Sequence, residues 1–434
     1  FSDGRLNLNG QTETIRNLNS SSSAAQVALG AGTLTIANPA SNSYAGSFAG
    51  SGTLNKSGVG RTTLSGASTG FTGATNLNEG IVALQSGNAL GSGTITVATG
   101  ANLEIQGGIT LANNLVLSGN GTGAVDGAIE NLSGNNTLTG GITLAADARI
   151  QSSAGLLTAS SGITGTNRNL IVSGAGDTTL NGVIATGTGT LTKDGGGALT
   201  LGGANTYTGD TLINAGTLAL GASNRIADVS DVVVAAGAVF ALNGFSESVQ
   251  TLAGAGTVDF GGGTLTLGTG LAVPTSTTFF GSLVGAGSLR LADADYTLTL
   301  GAAMYNTALD VELGGSTLAL GGFIHTFDTL TVSANSILDF GGASTVNFSS
   351  VNFTGNYTLT VQNWNNTVDY FYALLPPSVT DLSRIVFNGF SANQTNYEPF
   401  GDDNQITPVP EPSTYGAILM SLSSALAWWV RRRK

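Results

Sequence analysis

The 434-residue chain has no cysteine, a single histidine and only 9% charged residues. Without cysteine there is no disulfide framework, no thiolate nucleophile and no Cys-based zinc site. Ordinary globular proteins carry about 25% charged residues, so this composition is unusual. Acidic residues number 26 against 14 basic ones, a net charge of −12. The last four residues are all cations, and setting them aside leaves 10 basic residues and a net of −16. An acidic, sparsely charged surface argues against nucleic acid or anionic lipid as a partner. The lone His325 lies in GGFIHTFDTL with only Asp328 close by in sequence. A general base needs a nucleophile and an orienting acid, so His325 reads as an ordinary surface or core residue.

Glycine is abundant, with 65 residues, and 41% of the chain is hydrophobic. The apolar residues alternate with Thr, Ser and Asn in pieces such as TLTLG, TITVA and TLALGG. Runs of three to six residues broken by Gly or Asn are too short for helices or long sandwich strands. They fit an all-β solenoid in which each strand pairs with its counterpart one turn later, about 4.8 Å away. Leu, Ile, Val and Phe then stack inward, Thr, Ser and Asn face outward, and glycine turns the corners.

Internal repetition supports this reading. Residues 54–80 and 191–216 share Leu-x-Lys-x-Gly-x-Gly, carried by Leu54, Lys56, Gly58 and Gly60 and by Leu191, Lys193, Gly195 and Gly197. Aromatic-Thr-Gly follows in both, at Phe71-Thr72-Gly73 and Tyr207-Thr208-Gly209. Clear copies span 53–107 and 190–244, and a degraded third around 285–341 is suggested by Tyr305 and TLALGG. The two lysines are expected to be solvent-facing turn residues, and the glycines after them turn glycines rather than phosphate loops.

The run Leu191-Thr192-Lys193 … Asn205-Thr206-Tyr207-Thr208-Gly209 … Asn214-Ala215-Gly216-Thr217-Leu218 resembles the autotransporter-associated β-strand repeat family. The resemblance is close over 190–220 and looser over 53–84. It implies a right-handed parallel β-helix exported to the cell surface. Autotransporters end in a membrane β-barrel, and none is expected after these repeats, so the resemblance is not expected to supply a translocation route.

From about residue 325 aromatics and Asn gather, and 325–400 is expected to be terminal β-structure closing the solenoid of 1–324. Trp364 and Tyr370 offer a functional alternative, a platform for stacking on sugar rings. Residues 401–409 read as a polar spacer.

Chemistry-bearing clusters are sparse. Asp228/Asp231, Asp293/Asp295 and Asp402-Asp403 fall in expected turns or the spacer and read as solvated acids rather than a general acid–base pair. GAGDTTL at 174–180 and GAGTVDFGGG at 254–263 only graze the calcium-binding nonapeptide, leaving Asp402, Asp403 and Asn404 as candidate ion ligands. No catalytic residue, metal or cofactor is expected.

The last 25 residues combine Pro410-Glu411-Pro412, an uncharged run from Tyr415 to Val430, and Arg431-Arg432-Arg433-Lys434. The prolines favour an extended peptide before a helix starting near Ser413. From Ser413 to Val430 a helix would span roughly 27 Å, enough for a thin hydrocarbon core. Trp428 and Trp429 suit the interface, and the terminal cations should remain cytoplasmic. This arrangement resembles the PEP-CTERM sorting signal. The resemblance implies processing by an exosortase in an exopolysaccharide-producing Gram-negative bacterium, with an inner-membrane intermediate. Such a route requires an export leader, so the sequence is expected to begin within a longer precursor.

The combined expectation is a right-handed parallel β-helix with one C-terminal transmembrane helix at about 413–430. Its role would be non-enzymatic, structural or adhesive, at the cell surface or in the matrix. The expected partners are an exosortase, the membrane and extracellular polysaccharide, with no nucleic acid. The competing expectation is a secreted polysaccharide lyase or glycoside hydrolase on the same solenoid.

Overall fold

The computed structural model describes residues 4–123, 126–271, 273–390, 395–400 and 403–409. The chain forms two compact units, Phe1–Asp259 and Phe260–Lys434. Each is a parallel β-solenoid, and the one helix among the described residues is the single turn Val379–Leu382, capped by Ser378.

In the first unit three ladders run side by side. One passes through Thr33–Ile36, Thr53–Lys56, Thr75–Leu77 and Ile95–Val97, each strand parallel to the last. A second runs through Leu170–Ser173, Leu191–Lys193, Thr211–Ile213 and Asp231–Val234. The third holds Leu156–Ala159, Asp177–Leu180, Ala198–Leu201 and Thr217–Leu220. Leu170 pairs with Leu191 and Leu191 with Thr211, so one turn takes 21 and then 20 residues. The clear copies at 53–107 and 190–244 therefore each span more than two turns.

The alternation works as its chemistry demands. In Thr264–Leu267 of the second unit both leucines are buried and both threonines half-buried, and Ala198–Leu201 repeats the pattern in the first. Each fully buried Leu, Ile or Val contributes about 1.5–3 kcal/mol, and the core of each unit is built largely of them.

Corners in the first unit need close approach of backbone to backbone. A Cβ on Gly52, Gly73 or Gly93 would overlap the carbonyl oxygen of Gly32, Gly52 or Gly73, the glycine one turn before it. The repeat-family aromatics fill the core beside these corners: Tyr44, Phe71 and Tyr207 are all buried. Tyr305, offered by sequence as the aromatic of a degraded third copy, is instead 81% exposed.

The second unit is also parallel. Tyr296–Leu300, Thr317–Ala319, Ser336–Asp339, Leu359–Gln362 and Ile385–Phe387 form one ladder. Met304–Tyr305, Ile324–Ala334, Thr345–Phe353 and Tyr370–Ala373 form another. Parallel rungs thus continue well past residue 325, and Phe340, Phe348, Phe371 and Phe387, among the aromatics expected to close the end, are core residues. Phe327 stacks on Phe348 with centroids 5.9 Å apart, and Phe348 meets Phe371 at 6.2 Å. The closing element is an antiparallel hairpin of Thr395–Phe400 and Asp403–Pro408, laid against Tyr370–Ala373. The expected spacer at 401–409 is therefore a strand over 403–408, because Ile406 is an inward position and is fully buried.

Residues 410–434 lie outside the described residues, and with them every element of the expected sorting signal and transmembrane helix. Among the described residues no helix is long and apolar enough to cross a membrane.

Candidate functional site

The sorting-motif residues Pro410, Glu411 and Pro412 and the anchor residues Trp428, Trp429, Arg431, Arg432, Arg433 and Lys434 fall in that undescribed stretch. Asp402 does as well. Other candidates are placed.

The repeat lysines are not solvent-facing. Lys56 and Lys193 are each 2% exposed, at inward strand positions just before the glycine turn. Lys193 Nζ donates to the carbonyls of Asp194 (2.8 Å), Gly195 (2.7 Å) and Ala215 (3.1 Å). Lys56 Nζ donates to Gly58 O and, at 3.1 Å, to Glu79 O. Turn carbonyls aimed inward lack ladder partners, and a lysine head satisfies two or three of them at once. Burial pulls the Lys56 pKa down to about 8, against the pull of Glu79, and lowers that of Lys193 as well. The lysine is a structural clamp.

Asparagines do similar work. Asn113 Nδ2 donates to Gly91 O and Gly93 O at 3.2 and 2.6 Å, and Asn205 Nδ2 to Arg225 O at 2.7 Å.

His325 is fully buried in an inward column with Met304, Val346 and Phe371. Its Nε2 is 2.8 Å from Leu320 O, Nδ1 has no partner, and burial lowers its pKa. Asp328 is half-buried on the same strand and makes no bond with it. No catalytic dyad forms there.

Two of the turn acids noted in the sequence are held by local hydrogen bonds. Asp293 Oδ1 caps the backbone N–H of Asp295 at 2.9 Å, and Asp231 Oδ1 accepts from Thr251 at 2.6 Å. Asp177, in the GAGDTTL stretch, accepts from the Ala198 N–H at 2.9 Å. Among the described residues no three His, Asp or Glu side chains gather around a possible ion.

One carboxylate pair escaped sequence reasoning. Glu104 and Glu130 face each other in register on neighbouring turns and are 5% and 8% exposed. Arg61, two turns away, grips both oxygens of Glu104, with Nη1 to Oε1 at 2.9 Å. Burial pushes the Glu104 pKa up to about 7, opposed by Arg61 and aided by Glu130 and Asp126. Glu130 accepts from Ser153 Oγ. Because the partners lie 26 and 43 residues from Glu104, only the register reveals them. A further buried acid, Glu247, is raised to about 7 by burial while accepting from the N–H groups of Arg225 (2.7 Å) and Ile226 (3.3 Å).

The aromatic platform is partly formed. Trp364 packs edge-on against Phe340 and Phe387, each at 4.9 Å, so it serves the core. Tyr370 stacks on Tyr372 with centroids 5.8 Å apart and planes 3° from parallel. Beside Tyr372 lies an open groove of about 320 Å³, lined by Thr307, Thr326, Asn347, Ser349, Tyr372 and Leu374 among others. Its strands are held by the aromatic core beneath them.

Three stretches, 27–55, 54–84 and 191–220, match the passenger-associated-transport-repeat family. The first match was not singled out from sequence, because it has no lysine and carries Ser43-Tyr44-Ala45-Gly46 where the others have aromatic-Thr-Gly. The matched stretches share the buried aromatic at Tyr44, Phe71 and Tyr207. Neither the search of curated proteins nor that of solved structures finds a match to the chain. The repeats and the solenoid together suggest an exported, surface-associated, passenger-like protein.

Proposed function

We propose that the chain is a non-enzymatic structural or adhesive protein of the cell surface or extracellular matrix, associated with exopolysaccharide. It is read as a right-handed β-helix sorted by an exosortase through Pro410-Glu411-Pro412 after passing through an inner-membrane intermediate in a Gram-negative host. The observation that carries this reading is the coincidence of passenger-type repeats with a solenoid whose buried Lys193 and Asn113 heads are spent on its own turns. The expected membrane helix at 413–430 would hold the intermediate, with Trp428 and Trp429 at the interface and the terminal cations inside. Surface proteolysis of intact cells tests it: the wild-type chain should be cleaved from outside. Replacing Pro410, Glu411 and Pro412 by alanine should leave it in the inner-membrane fraction. Wild-type protein confined to the cytoplasm contradicts the reading.

A second reading, a lyase or glycoside hydrolase, draws on Glu104 and Glu130, two carboxylates one rung apart with one raised towards neutrality. Both are buried and engaged by Arg61 and Ser153, which favours a structural role. Glu104→Gln should leave any polysaccharide-degrading activity of the preparation unchanged.

A further inference from the structure

On the outer face of the second unit, Tyr305, Thr326, Asn347 and Tyr372 occupy matching positions on four successive rungs. At about 4.8 Å per rung the row is roughly 14 Å long. It runs along the groove lined by Thr307, Ser349 and Leu374. The row begins with a ring 81% exposed and ends with one stacked flat on Tyr370. Between them stand a hydroxyl and an amide. Asn347 spends its Nδ2 on long bonds to His325 O (3.3 Å) and Thr326 Oγ1 (3.4 Å), while its Oδ1 accepts none from the described residues.

The chemistry of this row narrows its occupant. No charged side chain lines the groove, which disfavours phosphate, nucleic acid and uronate polymers. Ile324–Ala334 and Thr345–Phe353 are paired on both sides in parallel ladders, and Tyr370–Ala373 lies between Thr345–Phe353 and the antiparallel Asp403–Pro408, so these strands offer no free edge to an extended peptide. Hydroxyl and amide groups interleaved with ring faces disfavour an acyl chain, whose burial gives them no partners. A neutral sugar polymer satisfies all of these conditions. Its C–H faces pack on tyrosine rings while its hydroxyls bond to Thr, Ser and Asn, and it can follow the axis from rung to rung.

We propose that this row and groove form a binding site for a neutral glycan chain lying along the solenoid axis. It rests on the surface-protein reading only for access to such a glycan.

The test is affinity electrophoresis of the purified full chain through gels containing hydroxyethylcellulose, galactomannan, dextran or polygalacturonate. At least one neutral polymer should retard the wild-type chain, and polygalacturonate should not. Tyr305→Ala should weaken retardation about tenfold, the upper end of one ring contact, with unchanged melting, and Tyr305→Phe should retain it. Asn347→Asp should also weaken it. If no neutral polymer retards the wild type, or if Tyr305→Ala and Asn347→Asp migrate as wild type does, the site is overturned. Surface proteolysis separates the two readings. A chain exposed on cells but never retarded refutes the groove alone, whereas a retarded chain confined to the cytoplasm refutes the surface role alone.

Discussion

The two units solve one problem, closing a β-coil every 20 or so residues, with different materials. In the first, corners are tightened until stacked glycines touch, and lysine and asparagine heads collect the carbonyls left over. In the second, a column of rings fills the interior, and the glycine positions are unevenly tight: a Cβ on Gly321 would overlap Leu300 O, whereas one on Gly314 would meet its nearest neighbour, Leu291 O, at 3.1 Å. Over the ring-filled core of the second unit run Ile324–Ala334 and Thr345–Phe353, which carry Thr326 and Asn347 of the outward-facing row.

The largest effect should come from removing a ring. Phe371→Ala, which loses contact with Phe340 and Phe348, should destabilise the second unit by about 3–5 kcal/mol. Denaturant-dependent hydrogen exchange should locate the loss between residues 260 and 409. Next, Gly73→Ala should destabilise the first unit by about 1–3 kcal/mol, because the new methyl meets a fixed carbonyl. Gly314→Ala in the second unit should change stability by less than about 1 kcal/mol. Equal effects at these two glycines, read by the same exchange experiment, would contradict the difference in their backbone contacts. Lys193→Met should cost the first unit about 2 kcal/mol, since three inward carbonyls lose their donor. Protection should fall first around 191–216.

Acid should move the units in opposite directions. Glu104 and Glu247 have folded pKa values near 7, above the unfolded carboxylate value. The folded state therefore binds protons more tightly, and the first unit gains stability as pH falls from about 7 towards about 4.5. His325 is shifted the other way, so the second unit keeps its full stability above about 6.5 and loses it as pH falls through the folded value. Exchange-derived opening energies at pH 7.5 and 5 should show the crossing. Glu104→Gln with Glu247→Gln should flatten the first trend. At the alkaline end, Lys56 is depressed to about 8, so the first unit should gain stability as pH rises from there towards the unfolded lysine value.

The solenoid was readable because its signal is local: TLTL-type alternation broken by glycine allows little else. The repeat aromatics were readable too, at Phe71 and Tyr207. Burial of Lys56 and Lys193 was not, since Lys-x-Gly looks like a solvated turn until the turn's carbonyls are seen to point inward. The Arg61–Glu104–Glu130 chain was hidden because its members are 26 and 43 residues apart. Ile406, one apolar residue in a polar segment, gave too short a pattern to mark 403–408 as a strand. The aromatics after 325 were noticed, but composition alone does not separate rings that close an end from rings that fill a core.

The absence of cysteine allows a direct test of the in-register stacking on which everything else depends. Thr179 and Thr200 face outward on adjacent turns as register partners. Replacing both by cysteine should place the thiols within disulfide reach, whereas cysteines at Thr179 and Ala198, two residues out of register, should sit roughly 7 Å or more apart. Under mild oxidation the first pair should close an intramolecular disulfide rapidly and the second should not. Equal cross-linking of the two pairs, or none in the first, would contradict the parallel solenoid.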